Sequence, residues 1–240
     1  MAPTTSPDSG AARSATPARV RSVNVGRSRP SAAGSLRTTG IDKRPTDDPV
    51  HLRDPGPRRG GAGSGLVGDH VEDRRHHGGT DQAVYAVAGE ELAHWAAVLG
   101  RGLPDGMFGE NLTTEGLDVD GALVGDIWRV GDTVRLQVTG PRIPCATFAG
   151  HLGEAHWVRR FTEHGRTGAY LRVLTEGPVQ AGDPIVLESR PDHEVTVPTM
   201  FRALTTHRDL MPLLEPLGDL LGDEGRRAVA AWLARRGRAT

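Results

Sequence analysis

Hydrophobic positions along this chain fall in short alternating runs bounded by glycine, proline and aspartate. VRSVNVG (20–26), DPVHL (48–52), QAVYAVA (82–88), TVRLQVTG (133–140), GAYLRVLTEG (168–177) and DPIVLES (183–189) each read as a strand. In TVRLQVT the alternation is clean, with Val134, Leu136 and Val138 on one face. One stretch follows the helical period instead. In GEELAHWAAVLG (89–100), Leu92, Trp95, Ala96 and Leu99 keep the i, i+3, i+4, i+7 spacing, and Gly100 offers a C-terminal stop. Near residue 190 strand alternation ends. The remainder reads as three short helices, with Pro198 suited to a first turn and Gly218 and Gly222 as interruptions. Many short strands with few helices predict a mainly β protein, a β-barrel rather than a doubly wound sheet. The expected parts are a disordered tail over 1–20, a barrel domain over 21–190 and a three-helix segment over 191–240.

Composition narrows the function classes. The first 20 residues are mostly Ser, Thr, Pro, Ala and Gly, with little to bury and no apolar core of a secretory signal. No run approaches the ~18–20 apolar residues that span a bilayer, so a cytoplasmic protein is expected. The formal net charge of -1 gives no electrostatic argument for nucleic acid. Arg226, Arg227, Arg235 and Arg236 therefore read as the solvated side of a helix whose apolar stripe is Val229, Trp232 and Leu233. A single cysteine, Cys145, excludes an internal disulfide, a zinc-cysteine knuckle and a four-cysteine iron–sulfur cluster. The glycine-rich GPRRGGAGSGLVGD (56–69) lacks the Lys-Ser/Thr ending of a phosphate-binding loop, so it reads as a flexible loop without a nucleotide role.

Four polar stretches combine backbone-fixing glycine or proline with side chains able to hold an anion or a polar ring. They are TTGIDKRP (38–45), RHHGGTDQAVY (75–85), GMFGENLTTEG (106–116) and GPRIPC (140–145). Gly78 and Gly79 could turn backbone N–H groups toward an anion, and Asn111 can donate and accept at once. Each has an ordinary reading too. Lys43 and Arg44 suit a solvated pair, and Glu110 and Asn111 suit a turn cap. His76 and His77, being adjacent, face opposite ways in extended chain. Cys145 packs well as a small buried hydrophobe, whereas Arg142 nearby favours a thiolate.

Taken in order, TGIDKRP, HHGGTDQAVYAVAGEELAHWAAVLGR, GMFGENLTTEGLDVDGALVGDIWRVGD and LQVTGPRIPCATF resemble the MOSC family, especially its stand-alone bacterial YiiM-like subgroup. The stretch GRTGAYLRVLTEGPVQAGDPIVLESRPDHEVTV and the helical tail extend the resemblance over roughly residues 21–235. Thr80 departs from the proline that relatives often carry, a change in loop stiffness. The resemblance implies a MOSC-type β-barrel with a few helices that binds molybdenum cofactor (molybdopterin), a pterin dithiolene with a terminal phosphate. It makes Cys145 the molybdenum ligand, a soft thiolate suited to a metal already held by sulfur. It places Lys43, Arg44, His77, Gly78, Gly79, Asn111 and Arg142 in the cofactor pocket, with Cys145, His77 and Asn111 nearest the chemistry. By that assignment Arg142 and Lys43 face the anionic part of the cofactor, Asn111 the pterin or an oxo ligand, and His77 supplies polarity or a proton. The implied activity is reduction of small N-hydroxylated compounds such as N-hydroxylated base analogues. Electrons would come from a separate reductase, because the chain lacks the cysteines of an iron–sulfur cluster and shows no flavin fingerprint. The alternative is a non-catalytic cofactor carrier or sulfur-handling module. The chain has no room for the pyridoxal-phosphate domain of the sulfurases, and its one lysine, Lys43, lies outside a Schiff-base context. The helical tail could serve the electron donor, a homodimer contact, or cover for the barrel.

Overall fold

The computed structural model describes residues 17–31 and 37–237. The tail expected over 1–20 lies outside the described residues apart from its last four, of which Arg19 and Val20 already belong to a strand. Twelve strands follow in chain order. They are β1 (Arg19–Gly26), β2 (Arg29–Pro30), β3 (Thr38–Thr39), β4 (Lys43–Thr46), β5 (Val50–Leu52), β6 (Val84–Ala88), β7 (Leu112–Glu115), β8 (Ile127–Val130), β9 (Val134–Pro141), β10 (Ala169–Thr175), β11 (Gly177–Val179) and β12 (Ile185–Ser189). Eight form one mixed sheet in the order β12-β8-β9-β10-β6-β7-β1-β4. Among the described residues only β6 and β7 run parallel, and parallel neighbours need a crossover. Helix α1 (Gly89–Leu99) supplies it, ending on Gly100 in the left-handed conformation as its sequence predicts. The sheet curls: Arg19 at the start of β1 bridges Pro184 just before β12, and Ile185 N–H donates to the Ala18 carbonyl at 2.9 Å. The join is a short bridge rather than a full ladder.

Strand periodicity divides the interior into two cores. In β6, Val84, Ala86 and Ala88 enter the aliphatic core inside the curl, together with Leu136, Val138 and Leu171. Tyr85 and Val87 point the other way, into an aromatic layer of Trp95, Phe108, Phe148, Trp157 and Phe161. All five residues of β6 are buried, which explains its nearly unbroken apolar sequence. Two helices absent from the sequence-based expectation cover that layer, α2 (Ala146–Leu152) and α3 (Trp157–His164). Each buries an i, i+4 pair, Phe148 with Leu152 and Trp157 with Phe161, and each stops at a glycine.

The C-terminal segment differs in detail from three helices. It consists of α4 (Val197–Leu204), two 3-10 turns (Arg208–Leu213 and Glu215–Leu220) and α5 (Asp223–Arg236). Pro198 does lie in the first turn of α4, where Thr196 caps the Thr199 N–H at 3.2 Å. The segment has a third core of its own around Met200, Met211, Leu214 and Leu221. It is tied to the sheet by charge: Asp81 meets Arg172 at 2.9 Å and Arg226 at 2.7 Å. Among the described residues, no helix is long and apolar enough to cross a membrane.

Candidate functional site

One end of the curled sheet opens into a cleft enclosing about 690 Å3, its mouth included. Strand register assembles it. Tyr170 lies opposite both Tyr85 on β6 and Gly140 on β9, so the two tyrosine rings meet at 5.2 Å and Arg142 emerges just beyond the end of β9. On the other side Lys43 pairs with Gly26 at the end of β1, and the Asn24 N–H donates to the Asn111 carbonyl at 2.7 Å. Lys43, His77, Gly78, Asn111, Arg142 and Cys145, dispersed over 103 residues of sequence, all line this one space.

Two residues named from the sequence lie elsewhere. Arg44 follows Lys43 on a strand, and successive strand side chains face opposite ways. Lys43 turns inward while Arg44, 61% exposed, pairs with Asp42 at 2.9 Å. Gly79 is outside the lining as well, because its N–H donates to the Gly63 carbonyl at 2.9 Å. Gly78 does line the cleft, with φ 78°; a Cβ there would stand 2.5 Å from the same Gly63 carbonyl. The adjacent histidines diverge, although they lie in a turn rather than in extended chain. His76 is exposed and bonds Asp73 at 2.9 Å, and His77 faces the cleft.

The residue that sequence reasoning missed is Asp69, in the stretch read as a flexible glycine loop. Its side chain has 0% exposure and accepts both Lys43 Nζ contacts, at 2.5 and 2.6 Å. It also accepts the Gly26 N–H at 2.7 Å, the Ser64 hydroxyl at 2.6 Å and the Asn111 amide at 2.9 Å. Two assignments change in consequence. The Lys43 ammonium, 7% exposed, is neutralised by Asp69 rather than free for an anion. The Asn111 amide is also occupied: its oxygen accepts the Tyr85 N–H at 3.2 Å while its nitrogen serves Asp69. Neighbouring Glu110 folds the turn, accepting from Gly106 N, Phe108 N and Thr113 Oγ1. Complete burial, only partly offset by those donors, pushes its carboxyl up to about 7.

Arg142 stands apart from this compensated network. It is 5% exposed, its Nε has no hydrogen-bond partner, and no carboxylate pairs with it among the described residues. Its guanidinium lies 4.6 Å from the Phe148 ring centre and 5.1 Å from that of Tyr85. Burial works against its charge, but the surrounding Tyr170, Tyr85, Cys145 and Glu110 hold it above the ordinary guanidinium value. Cys145, a free thiol with extended backbone, lines the cleft immediately before α2.

Desolvation, reinforced by the Arg142 charge, pulls His77 down to about 4, so its ring is neutral at pH 7 and within 3.4 Å of the Tyr170 hydroxyl. A histidine whose folded value lies below the unfolded 6.5 binds fewer protons when folded. Its contribution to stability is therefore complete above pH 6.5 and is lost as pH falls toward 4. Between pH 7 and 5 the loss is about 2 kcal/mol. Urea midpoints at those two pH values should converge in His77→Gln relative to wild type; equal pH slopes in the two proteins would refute the assignment.

The MOSC domain family profile matches residues 73–186, a span that includes His77, Asn111, Arg142 and Cys145. YflK of Bacillus subtilis (strain 168) is 36% identical over 164 residues, covering 68% of this chain and 70% of that protein. The chain belongs to the MOSC domain family. A Gibberella moniliformis protein described as a reductase is 30% identical over 210 residues, covering 84% of this chain but 36% of its own length. The crystal structure of YiiM from Geobacillus stearothermophilus superposes with a TM-score of 0.72 and 26% identity, covering 90% of this chain and 98% of that one. MOSC domains are associated with molybdenum-cofactor binding. Lys43 and Asp69 precede the matched span; Lys43 lines this MOSC protein's cleft, and Asp69 behind it holds its ammonium in place.

Proposed function

We propose that this cleft binds molybdenum cofactor and reduces small N-hydroxylated compounds with electrons from a separate reductase. The observation that carries the reading is the pairing of Arg142 with Cys145 in one cavity. A buried cation without a carboxylate is costly, and an anionic ligand removes that cost. The only thiol of the chain lies beside it. No group of three His, Cys, Asp or Glu side chains is placed to hold a bare metal ion among the described residues. A single protein thiolate suits a metal that arrives with sulfur ligands of its own.

Arg142 would hold an anionic group of the cofactor, and Cys145 would ligate its metal. When bound, the cofactor supplies two-electron redox chemistry, by which an N–OH group, two electrons and two protons become N–H and water. The protein sets the surroundings. Burial raises Tyr170 above the ordinary phenol value, so its hydroxyl keeps its proton. With neutral His77 it forms a wall able to pass a proton without adding charge. Asp69 and Asn111 hold the frame, with Lys43 locked into it.

The test is elemental analysis of wild type and Cys145→Ser purified from a host that makes the cofactor. Wild type should carry molybdenum and Cys145→Ser at least ten-fold less, while the two proteins freed of cofactor melt alike. Molybdenum in neither protein would end the reading. Molybdenum in wild type without N–OH reduction, given a competent donor, would make the protein a carrier.

A further inference from the structure

Among the described residues, two buried side-chain atoms in the cleft lining have no hydrogen-bond partner, and they are of opposite kinds. One is the donor Nε of Arg142; the other is the acceptor Oε1 of Gln82. Folded chains seldom leave a buried polar atom unpaired, and a ligand is one of the few physical reasons for it. An orphan acceptor and an orphan donor in one cleft suit a ligand that is anionic at one place and bears an N–H at another.

The side chain first assigned to the pterin is not free for it. Asn111 uses its oxygen for the Tyr85 N–H and its nitrogen for Asp69. Lys43 is held by Asp69, and the Ser64 hydroxyl donates to the same carboxylate. The Gln82 oxygen has no such commitment, although its backbone is fixed from both sides. It closes the 3-10 turn Thr80–Gln82, its N–H donating to the Gly79 carbonyl at 3.0 Å. Before it, Asp81 is clamped by Arg172 and Arg226, and the Asp81 carbonyl accepts the Thr139 hydroxyl at 2.6 Å. After it, the Ala83 carbonyl accepts the Gly65 N–H at 2.7 Å. An acceptor carried on a fixed turn and left unpaired is preorganised for a partner from outside the chain.

We propose that Gln82 reads the pterin ring of the cofactor, its amide oxygen accepting from the ring's exocyclic amino group. As a statement about the cofactor this rests on the molybdenum reading. Arg142 takes the anionic group and Gln82 the amino edge, so one ligand satisfies both orphan atoms. A ring with an oxo group in place of the amino group sets oxygen against oxygen and is rejected.

The direct test needs no metal. Pterin carboxylate and lumazine carboxylate share their ring system and an anionic group; lumazine carries an oxo group where pterin carries its amino group. Both are titrated by fluorescence into cofactor-free protein at about pH 6, above the His77 value of about 4. Wild type should bind the pterin about ten-fold more tightly, a difference of about 1.4 kcal/mol. In Gln82→Met, which lacks the acceptor, the ratio should fall to within about two-fold, and in Gln82→Glu, which keeps acceptor oxygens, it should persist. A wild-type ratio near one, no measurable binding of either compound, or a ratio unchanged in Gln82→Met overturns the assignment. The oxygen would then belong to solvent in the smaller cavity that Gln82 also lines. If Gln82→Met does not fold, wild type and Gln82→Glu decide, and a ratio that collapses in Gln82→Glu refutes it. Failure here leaves the molybdenum analysis of Cys145→Ser standing, and failure of that analysis leaves this titration intact.

Discussion

Asp69→Ala should destabilise the protein by about 3–5 kcal/mol, the cost of leaving one partner of a buried ion pair without the other. The carboxylate has no solvent exposure, and it compensates an ammonium that is itself 7% exposed. Removing it leaves the largely buried Lys43 ammonium without its counter-charge. It also frees the Gly26 N–H, the Ser64 hydroxyl and the Asn111 amide at once. For a chain of this size the melting temperature should fall by roughly 10 °C or more. The double variant Lys43→Met/Asp69→Leu should recover part of the loss, because it removes both charges rather than one. Thermal melts of wild type, Lys43→Met, Asp69→Leu and the double variant measure the coupling. An Asp69→Ala protein melting within a degree or two of wild type would show that the pair does not hold the cleft wall.

That pair also shows where sequence reasoning stops. Lys43 was visible as a candidate, but its partner lies 26 residues on, inside GPRRGGAGSGLVGD. Glycine density there reads as looseness. In the fold it serves close approach, as at Gly65, where a Cβ would sit 2.7 Å from the Ala83 carbonyl. Arg44 is different, since strand alternation alone would have turned it away from Lys43 once KRPT was read as extended. Tyr85 and Tyr170 were legible as strand residues but not as a facing pair, because strand order is not encoded in local periodicity. The spacing of Phe148 with Leu152 and Trp157 with Phe161 did encode α2 and α3. Their shortness and glycine boundaries hid them among loops. Alternating strands, α1 and Pro198 were readable because each depends on neighbours in sequence. Asp69 depends on contacts brought together by β1, β4 and two loops.

Arg142→Met should separate function from stability. Burying a guanidinium costs several kcal/mol after relaxation. Here the compensation comes from two aromatic faces, phenolic oxygens, the Cys145 thiol and the more distant Glu110, with no carboxylate paired to it directly among the described residues. A flexible apolar side chain of comparable volume, though shorter, removes the desolvation cost and fills much of the same space. The cofactor-free variant should therefore melt at or above the wild-type temperature, gaining up to about 2 kcal/mol. Its hold on an anionic ligand should fall by about thirty-fold or more, since removing one member of a buried charge pair costs about 2–5 kcal/mol in binding. Arg142→Lys should fall between the two, keeping charge but losing the planar fork and the ring stacking. Melting curves of cofactor-free protein and molybdenum per chain after gel filtration read the two effects separately. A residue that merely packs the aromatic layer would give the reverse pattern, a marked loss of stability with molybdenum content unchanged. That pattern would remove Arg142 from the binding site and, with it, the observation on which the cofactor assignment rests.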